Sequence, residues 1–368
     1  MKRLNFIIVV GALVITSLLQ AQDIKSDEVK EVMTKVADWQ IEHFQDASEK
    51  KPHPPLNWTN GALYVGMIKL AAISNTDTYY NWLKKIGEEH KWQLNDRIYY
   101  ADDHTVSQMY IDLYRKYKDE AMIGPTKKQF DYILFHPAKT SLEWKSPYAQ
   151  DRWNWCDALF MAPPVWAKLY NITGEKKYLD FLMSEYKATT DFLFDEEENL
   201  YYRDESYMGK LDNNTKIFWS RGNGWVFAGL VNVMNELDPK SKEYNYFLDI
   251  YLKMAKKLVE IQTPDGYWSM SLLGQTFYPT PETSGSSFYV YGLAWGINKG
   301  ILNKSIYASA VKKGWNAVVK CVTDEGMLGY VQPIGAAPGS AWPDKTEVYG
   351  TGAFLSAGSE IYKLYGRK

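Results

Sequence analysis

An aspartate set among aromatic rings is the first place in this sequence where chemistry can be located. In Gln150-Asp151-Arg152-Trp153-Asn154-Trp155-Cys156-Asp157-Ala158-Leu159-Phe160-Met161-Ala162-Pro163-Pro164, Asp157 stands between Trp153 and Trp155 on one side and Phe160 and Met161 on the other, where a loop becomes an apolar helical run. Partial desolvation raises the pKa of such a carboxyl and lets it hold a proton near neutral pH. The flat faces beside it suit stacking against a sugar ring. The competing reading is that Asp157 simply N-caps the helix that follows.

Further groups of this kind stand at similar loop-to-helix boundaries. Asp102 and Asp103 precede His104 at one of them, and together with Asp157 they offer a pair of carboxylates for acid/base work; one of the two is expected to cap its helix instead. Trp219-Ser220-Arg221-Gly222-Asn223-Gly224-Trp225 sets an arginine fork between indoles, where it could receive a carboxylate in a bidentate pair or, alternatively, pair a structural aspartate. Glu282-Thr283-Ser284-Gly285-Ser286 offers hydroxyls and free amides to an anion or a sugar hydroxyl, although Thr and Ser cap helices in many settings. His104, Trp58, Trp155 and Tyr349 are added as candidate lining residues. No Cys/His set has zinc spacing, so neither a metal nor an organic cofactor is expected.

These boundaries must be brought together by the elements that carry them, and the sequence supplies a repeating device. Small-residue-rich helix starts recur near Asn60, Asp102, Cys156, Gly222, Ser284 and Tyr349, about 43 to 66 residues apart, the length of a helical hairpin with its loops. More polar amphipathic helices lie between them, as at 27–45, 241–262 and 306–318. Small-residue helices pack closely inside and amphipathic ones outside, which predicts an all-α toroid of six inner and six outer helices with the inner N-termini at one mouth. An open helical array is the alternative; its loops should be regular, whereas 137–150 and 332–345 are long and individual. Brief β segments are expected at 97–100, 200–203, 266–269 and 329–331.

Composition narrows the function. The chain has 368 residues, 46% of them hydrophobic, and a net charge of -2, which leaves no basic footprint for nucleic acid. Its 14 Trp and 28 Tyr suit sugar recognition, and two Cys cannot form a disulfide framework. Met1-Lys2-Arg3, the apolar run from Phe6 to Leu19 and small Ala21 read as a signal peptide, residues 1–21. Residues 22–368 are then expected to form one exported catalytic domain, periplasmic or secreted, with no membrane association after signal removal.

Four stretches, Trp155-Cys156-Asp157-Ala158-Leu159-Phe160-Met161-Ala162-Pro163, Trp219 to Trp225, Glu282 to Gly285, and Tyr349-Gly350-Thr351-Gly352-Ala353-Phe354, together resemble glycoside hydrolase family 105, the unsaturated rhamnogalacturonyl hydrolases, and their relatives in family 88. The resemblance spans nearly the whole mature chain. It implies an (α/α)6 barrel that removes a 4,5-unsaturated uronic acid from the non-reducing end of oligosaccharides left by polysaccharide lyases. It further implies that Asp157 is the general acid/base, that an Asp of the 102–103 pair assists, and that the Arg221 stretch helps form the uronate pocket. Arg203 departs from the family pattern, standing where some members carry a His, and bears on the substrate subtype. A conventional inverting glycosidase and a non-catalytic carbohydrate-binding protein are the alternatives.

Overall fold

The computed structural model describes residues 24–45, 52–144 and 150–366; the expected signal peptide lies outside the described residues. Its helices are, in chain order, α1 (Ser26–Glu42), α2 (Trp58–Ile73), α3 (Thr78–Glu89), α4 (Ala101–His104), α5 (Ser107–Tyr117), α6 (Gly124–Phe135), α7 (Ala158–Met161), α8 (Pro163–Thr173), α9 (Lys176–Leu193), α10 (Ser220–Met234), α11 (Lys242–Glu260), α12 (Thr283–Asn298), α13 (Lys304–Val319) and α14 (Val348–Gly366). Two kinds of helix alternate. Every residue of α10 is buried, as are all but one of α12 and most of α2 and α14, whereas α1, α3 and α11 bury a single stripe. A helix covered all round must lie inside, and a one-stripe helix must face solvent.

The buried helices close a ring. α2 packs on α5, α5 on α8, the α7–α8 pair on α10, α10 on α12, α12 on α14, and α14 returns to α2. Outside them, α1 bridges α14 and α2, α3 bridges α2 and α5, α11 bridges α10 and α12, and α13 bridges α12 and α14. α6 is fixed by Thr126 on Ser107 and by Phe130 against Trp166, and α9 packs on α8. The result is the expected (α/α)6 barrel. The seam between last and first inner helices excludes the open array, whose end repeats never meet. That seam depends on glycine: a Cβ on Gly66 would stand 2.2 Å from the Gly352 carbonyl oxygen, and one on Gly352 2.2 Å from that of Ala62.

Two inner helices are broken one turn from their N-termini, and these are the ones that carry the acids. Pro163 has no N–H to continue the ladder from α7 into α8. Between α4 and α5, the Thr105 hydroxyl takes the Asp102 carbonyl at 2.8 Å, a local bond that competes with helix continuation. Each break leaves a four-residue helix, α4 with Asp102 and Asp103 within it and α7 with Asp157 at its N-cap position.

The β segments differ from expectation. β1 (Phe194–Asp195) pairs antiparallel with β2 (Leu200–Tyr201), as the 200–203 pattern predicts. The 97–100, 266–269 and 329–331 stretches form no named strand. Their amides go elsewhere: Arg97 N–H to the Asp103 carboxylate, Trp268 N–H to the Ser286 hydroxyl, and Tyr330 N–H to the Trp342 carbonyl. An unanticipated hairpin, β3 (Leu211–Asp212) with β4 (Thr215–Lys216), turns on Asn213 and Asn214 at φ 48° and 64°, a conformation Asn tolerates.

Candidate active site

Asp157 occupies the N-cap position of α7 but makes no side-chain capping bond, because its own backbone is already helical at φ -60°, ψ -32°. A capping side chain projects from an extended residue, so the capping reading fails on geometry. Its carboxylate instead meets the Cys156 thiol at 3.5 Å and lies 3.8 Å from Nε of Arg203. Burial raises its pKa, opposed by the positive charges of Arg203 and Arg221.

Asp102 and Asp103 divide sharply. Asp103 is 1% exposed and accepts from Arg97 through Nε at 2.9 Å, Nη2 at 2.6 Å and the backbone N–H at 3.1 Å, with Asn95 adding a bond at 3.3 Å. It anchors the loop that enters α4. Neither aspartate caps the helix, contrary to expectation, since the N-cap residue is Tyr100 and no side chain takes the role. Among the described residues Asp102 makes no such ion pair. Burial first, and then the negative charge of Asp157, push its pKa up to about 7. Burial thus raises both carboxyls, and the charge of Asp157 adds to the rise at Asp102.

A second strand of chain completes this side of the site. Cys156 N–H donates to the Arg203 carbonyl at 2.8 Å and Trp155 bridges Asp204, so the 203–205 segment is pinned beside Asp157. Arg203 donates through Nη1 to Asp204 at 2.5 Å, and its guanidinium lies 4.4 Å from the Trp144 ring centre. Trp144 in turn donates its backbone N–H to Glu205 at 3.0 Å. Tyr100 stacks on Trp155 at 5.2 Å, and on the far side Trp58 stacks on Tyr349 at 5.3 Å. Of these rings Trp58, Tyr100 and Trp144 keep part of their surface open to a ligand, while Trp155 and Tyr349 lie behind them.

Several expected binding residues are turned to structural work. Asn223 accepts from Tyr201 N–H at 2.8 Å and donates to the Tyr201 and Trp219 carbonyls, which fixes β2 against α10 and leaves nothing for a sugar. Thr283 donates to the Gly329 carbonyl at 2.9 Å. The start of α12 is already filled by Glu282, whose carboxylate accepts from Ser284 N–H, Gly285 N–H and the Ser284 hydroxyl at 3.1, 2.7 and 2.5 Å; the anion site there belongs to the chain's own acid. His104 faces away, bound to the Ile98 carbonyl at 2.8 Å and packed on Phe130, with burial pushing its pKa down to about 4. Trp225 is fully buried against Phe160 and Phe288, beneath the mouth. Trp219 is buried with its indole N–H on Gln332.

Arg221 answers to neither expectation. It pairs no aspartate, and at 1% exposure it donates through Nη1 to the Gln332 carbonyl at 2.6 Å and through Nη2 to the Pro333 carbonyl at 2.8 Å. Tyr349 donates to the same Gln332 carbonyl at 2.6 Å. Arg221 therefore ties down the 332–345 loop, and its charge reaches Asp157 through space. Arg203, Asp204, Trp144 and Tyr100 are the neighbours of the acids that spacing alone did not pick out; Arg203 itself, the departure from the family pattern with Asp204 beside it, was the available signal. Among the described residues, no group of three His, Cys, Asp or Glu side chains forms a metal site.

The profile of Glycosyl Hydrolase Family 88 matches residues 32–365. An unsaturated 3S-rhamnoglycuronyl hydrolase from Formosa agariphila is 36% identical over 379 aligned positions, covering 99% of this chain and 98% of that protein. Among solved structures, a family 88 glycosyl hydrolase from Bacteroides vulgatus is 30% identical with a TM-score of 0.82, covering 93% of this chain and 100% of its own. A structure named as a polysaccharide lyase is 32% identical with a TM-score of 0.83, covering 93% of this chain and 99% of its own.

Proposed function

The chain belongs to Glycosyl Hydrolase Family 88, and from that premise we propose that it removes a 4,5-unsaturated uronic acid from the non-reducing end of oligosaccharides made by polysaccharide lyases. The observation that carries this reading is the placement of Asp157, partly exposed at the start of α7, with buried Asp102 on the adjoining α4 and the partly open rings of Trp58, Tyr100 and Trp144 around them, burial raising the pKa of both acids. Asp157, the acid still 13% exposed, delivers the proton to C4 of the enol ether. Positive charge develops at C5 and the ring oxygen. Water then adds at C5, giving up its proton to Asp157, now a base. The hemiketal so formed opens at the bond between C5 and the ring oxygen, and the hemiacetal left at C1 expels the aglycone.

Asp102 supports this cycle by sharing the proton and by keeping a second negative charge from forming until one is needed. The 3S-rhamnoglycuronyl relative supports a rhamnose-linked unsaturated uronide as the first substrate to try. Residues 1–21 support export ahead of the reaction; a secreted product that retains them would count against that part.

The test is a digest of two matched oligosaccharides, one ending in the unsaturated uronate and one in its saturated counterpart. Release of one uronic acid unit from the first alone fits the proposal. Cleavage of the saturated substrate would instead make this a conventional glycosidase.

A further inference from the structure

Arg221 was expected to grip the substrate carboxylate, yet it has no open edge. Both terminal nitrogens are bonded to backbone carbonyls, its Nε is buried without a partner, and the residue is 1% exposed. Presenting it to a substrate would mean releasing the 332–333 segment that Tyr349 also holds. The hydroxyls and amides at the start of α12 are likewise filled by Glu282.

Arg203 is placed differently. Nη1 is anchored on Asp204, Nε faces Asp157 at 3.8 Å without a hydrogen bond, and Nη2 bonds to nothing among the described residues. The side chain keeps 15% of its surface, and its guanidinium lies over the Trp144 ring, 4.4 Å from its centre. One edge is fixed by an acid and one face by an indole, which leaves a preset donor beside the catalytic carboxyls.

The chemistry of the substrate requires a donor at that place. The carboxylate of a 4,5-unsaturated uronate is attached to C5, the atom next to the C4 that must be protonated, so a group gripping it has to stand beside the proton donor. We propose that Arg203, through Nη2, is the receptor for the substrate's uronate carboxylate, and that Arg221 is the brace of the 332–345 loop. The proposal rests on the uronidase reading of the site. It has a consequence for the acid: a carboxylate bound to Arg203 cancels the positive charge that favours ionised Asp157, so the shared proton moves toward Asp157 when the correct substrate arrives.

The test compares an unsaturated uronide disaccharide with its methyl ester, which keeps the double bond and removes the charge. Dissociation constants are read from tryptophan fluorescence in an Asp157→Asn background, where the ligand is not consumed. The acid should bind roughly 10- to 100-fold tighter than the ester, the range for a charge-assisted bond. Adding Arg203→Met should bring the ratio near one, Arg203→Lys should keep part of it, and Arg221→Lys should keep all of it. Thermal melts check that each protein is folded, and Arg203→Lys still reads the site if Arg203→Met fails to fold. A preference retained by both Arg203 variants, or lost on Arg221→Lys alone, or absent from the parent, overturns the proposal. Turnover by the protein with Asp157 intact is measured separately: its absence with the binding preference present would sink the uronidase reading and leave Arg203 as a carboxylate receptor.

Discussion

The two ends of the barrel bury acids at nearly the same depth and treat them in opposite ways. At the C-terminal ends of the inner helices, Glu236 is 9% exposed and receives Arg115 at 2.9 and 2.5 Å and Lys168 at 3.4 Å, while Asp112 takes Lys168 at 2.5 Å and Arg115 at 3.3 Å. Burial works to raise the pKa of Glu236, but Lys168 and Arg115 outweigh it and hold the carboxyl below its usual range. At the mouth, Asp102 is 8% exposed, and burial first and then the charge of Asp157 push its pKa up to about 7. Burial alone therefore does not mark a working acid. What separates the two ends is how closely the charges are matched: two acids hydrogen-bonded to two bases form a fixed brace, whereas at the mouth Asp157 meets Arg203 only at 3.8 Å and burial prevails over the nearby positive charge.

The largest effect expected from this contrast is at Asp157. Asp157→Asn keeps the shape and breaks no capping bond, so the melt should be near that of the parent, while turnover falls by at least the roughly 10²- to 10⁴-fold typical of a lost general acid/base. Steady-state rates on the unsaturated uronide check this; near-parental rates would return Asp157 to a structural role. At the other end, Glu236→Gln should do the reverse. It strands Arg115 and Lys168 with one acid between them, which should cost about 3 kcal/mol, the low end for a broken buried pair because Arg115 keeps 29% of its surface. Denaturant unfolding should show that loss with kcat/KM unchanged, and a drop in kcat/KM as large as that of Asp157→Asn would erase the distinction between the ends.

Much of this contrast was open to a reading of the sequence, and the reasons it stopped where it did are physical. The barrel follows from two apolar patterns, all-round in α10 and one-striped in α11, which burial sorts without further information. Asp157 was legible because its aromatic setting is local in the chain. Arg203 was picked out only as a departure from the family pattern; its place beside Asp157 was not legible, because it is set by a backbone bond to Cys156 and a bridge from Trp155 to Asp204, contacts between segments some distance apart. Asn223, Thr283 and Ser284 misled for the same reason. Polar residues at helix starts look like a binding rim until their partners, the Tyr201 and Gly329 carbonyls and the Glu282 carboxylate, are seen. Asp102 and Asp103 are adjacent in sequence and differ only in which one meets Arg97.

A smaller effect concerns pH and Asp102. Its folded pKa of about 7 lies above the ordinary 3.8, so the folded chain binds a proton that the unfolded chain has lost, and stability declines as pH rises from about 4 to about 7 before levelling. Asp102→Asn removes that decline. Its melting temperature should match the parent near pH 4 and exceed it by a few degrees at pH 8. A parallel shift at both pH values would mean that Asp102 is ordinarily ionised. The same titration sets the alkaline limb of activity, because turnover needs the shared proton and fades as pH climbs past about 7.

The central claim is that a proton from the carboxyl pair is added to C4 of a double bond already present in the substrate. The direct measurement is the ultraviolet absorbance of that conjugated bond during release of the aglycone from a lyase-generated disaccharide at neutral pH. Hydration predicts that absorbance falls in step with aglycone release. Aglycone release that runs ahead of the absorbance loss would mean ordinary glycosidic hydrolysis, whose free unsaturated sugar opens to the keto acid only afterwards, and absorbance that rises on an intact uronate-containing polysaccharide would mean elimination, as the name of the lyase-designated structural relative would have it; either result contradicts protonation at C4 by the Asp157–Asp102 pair.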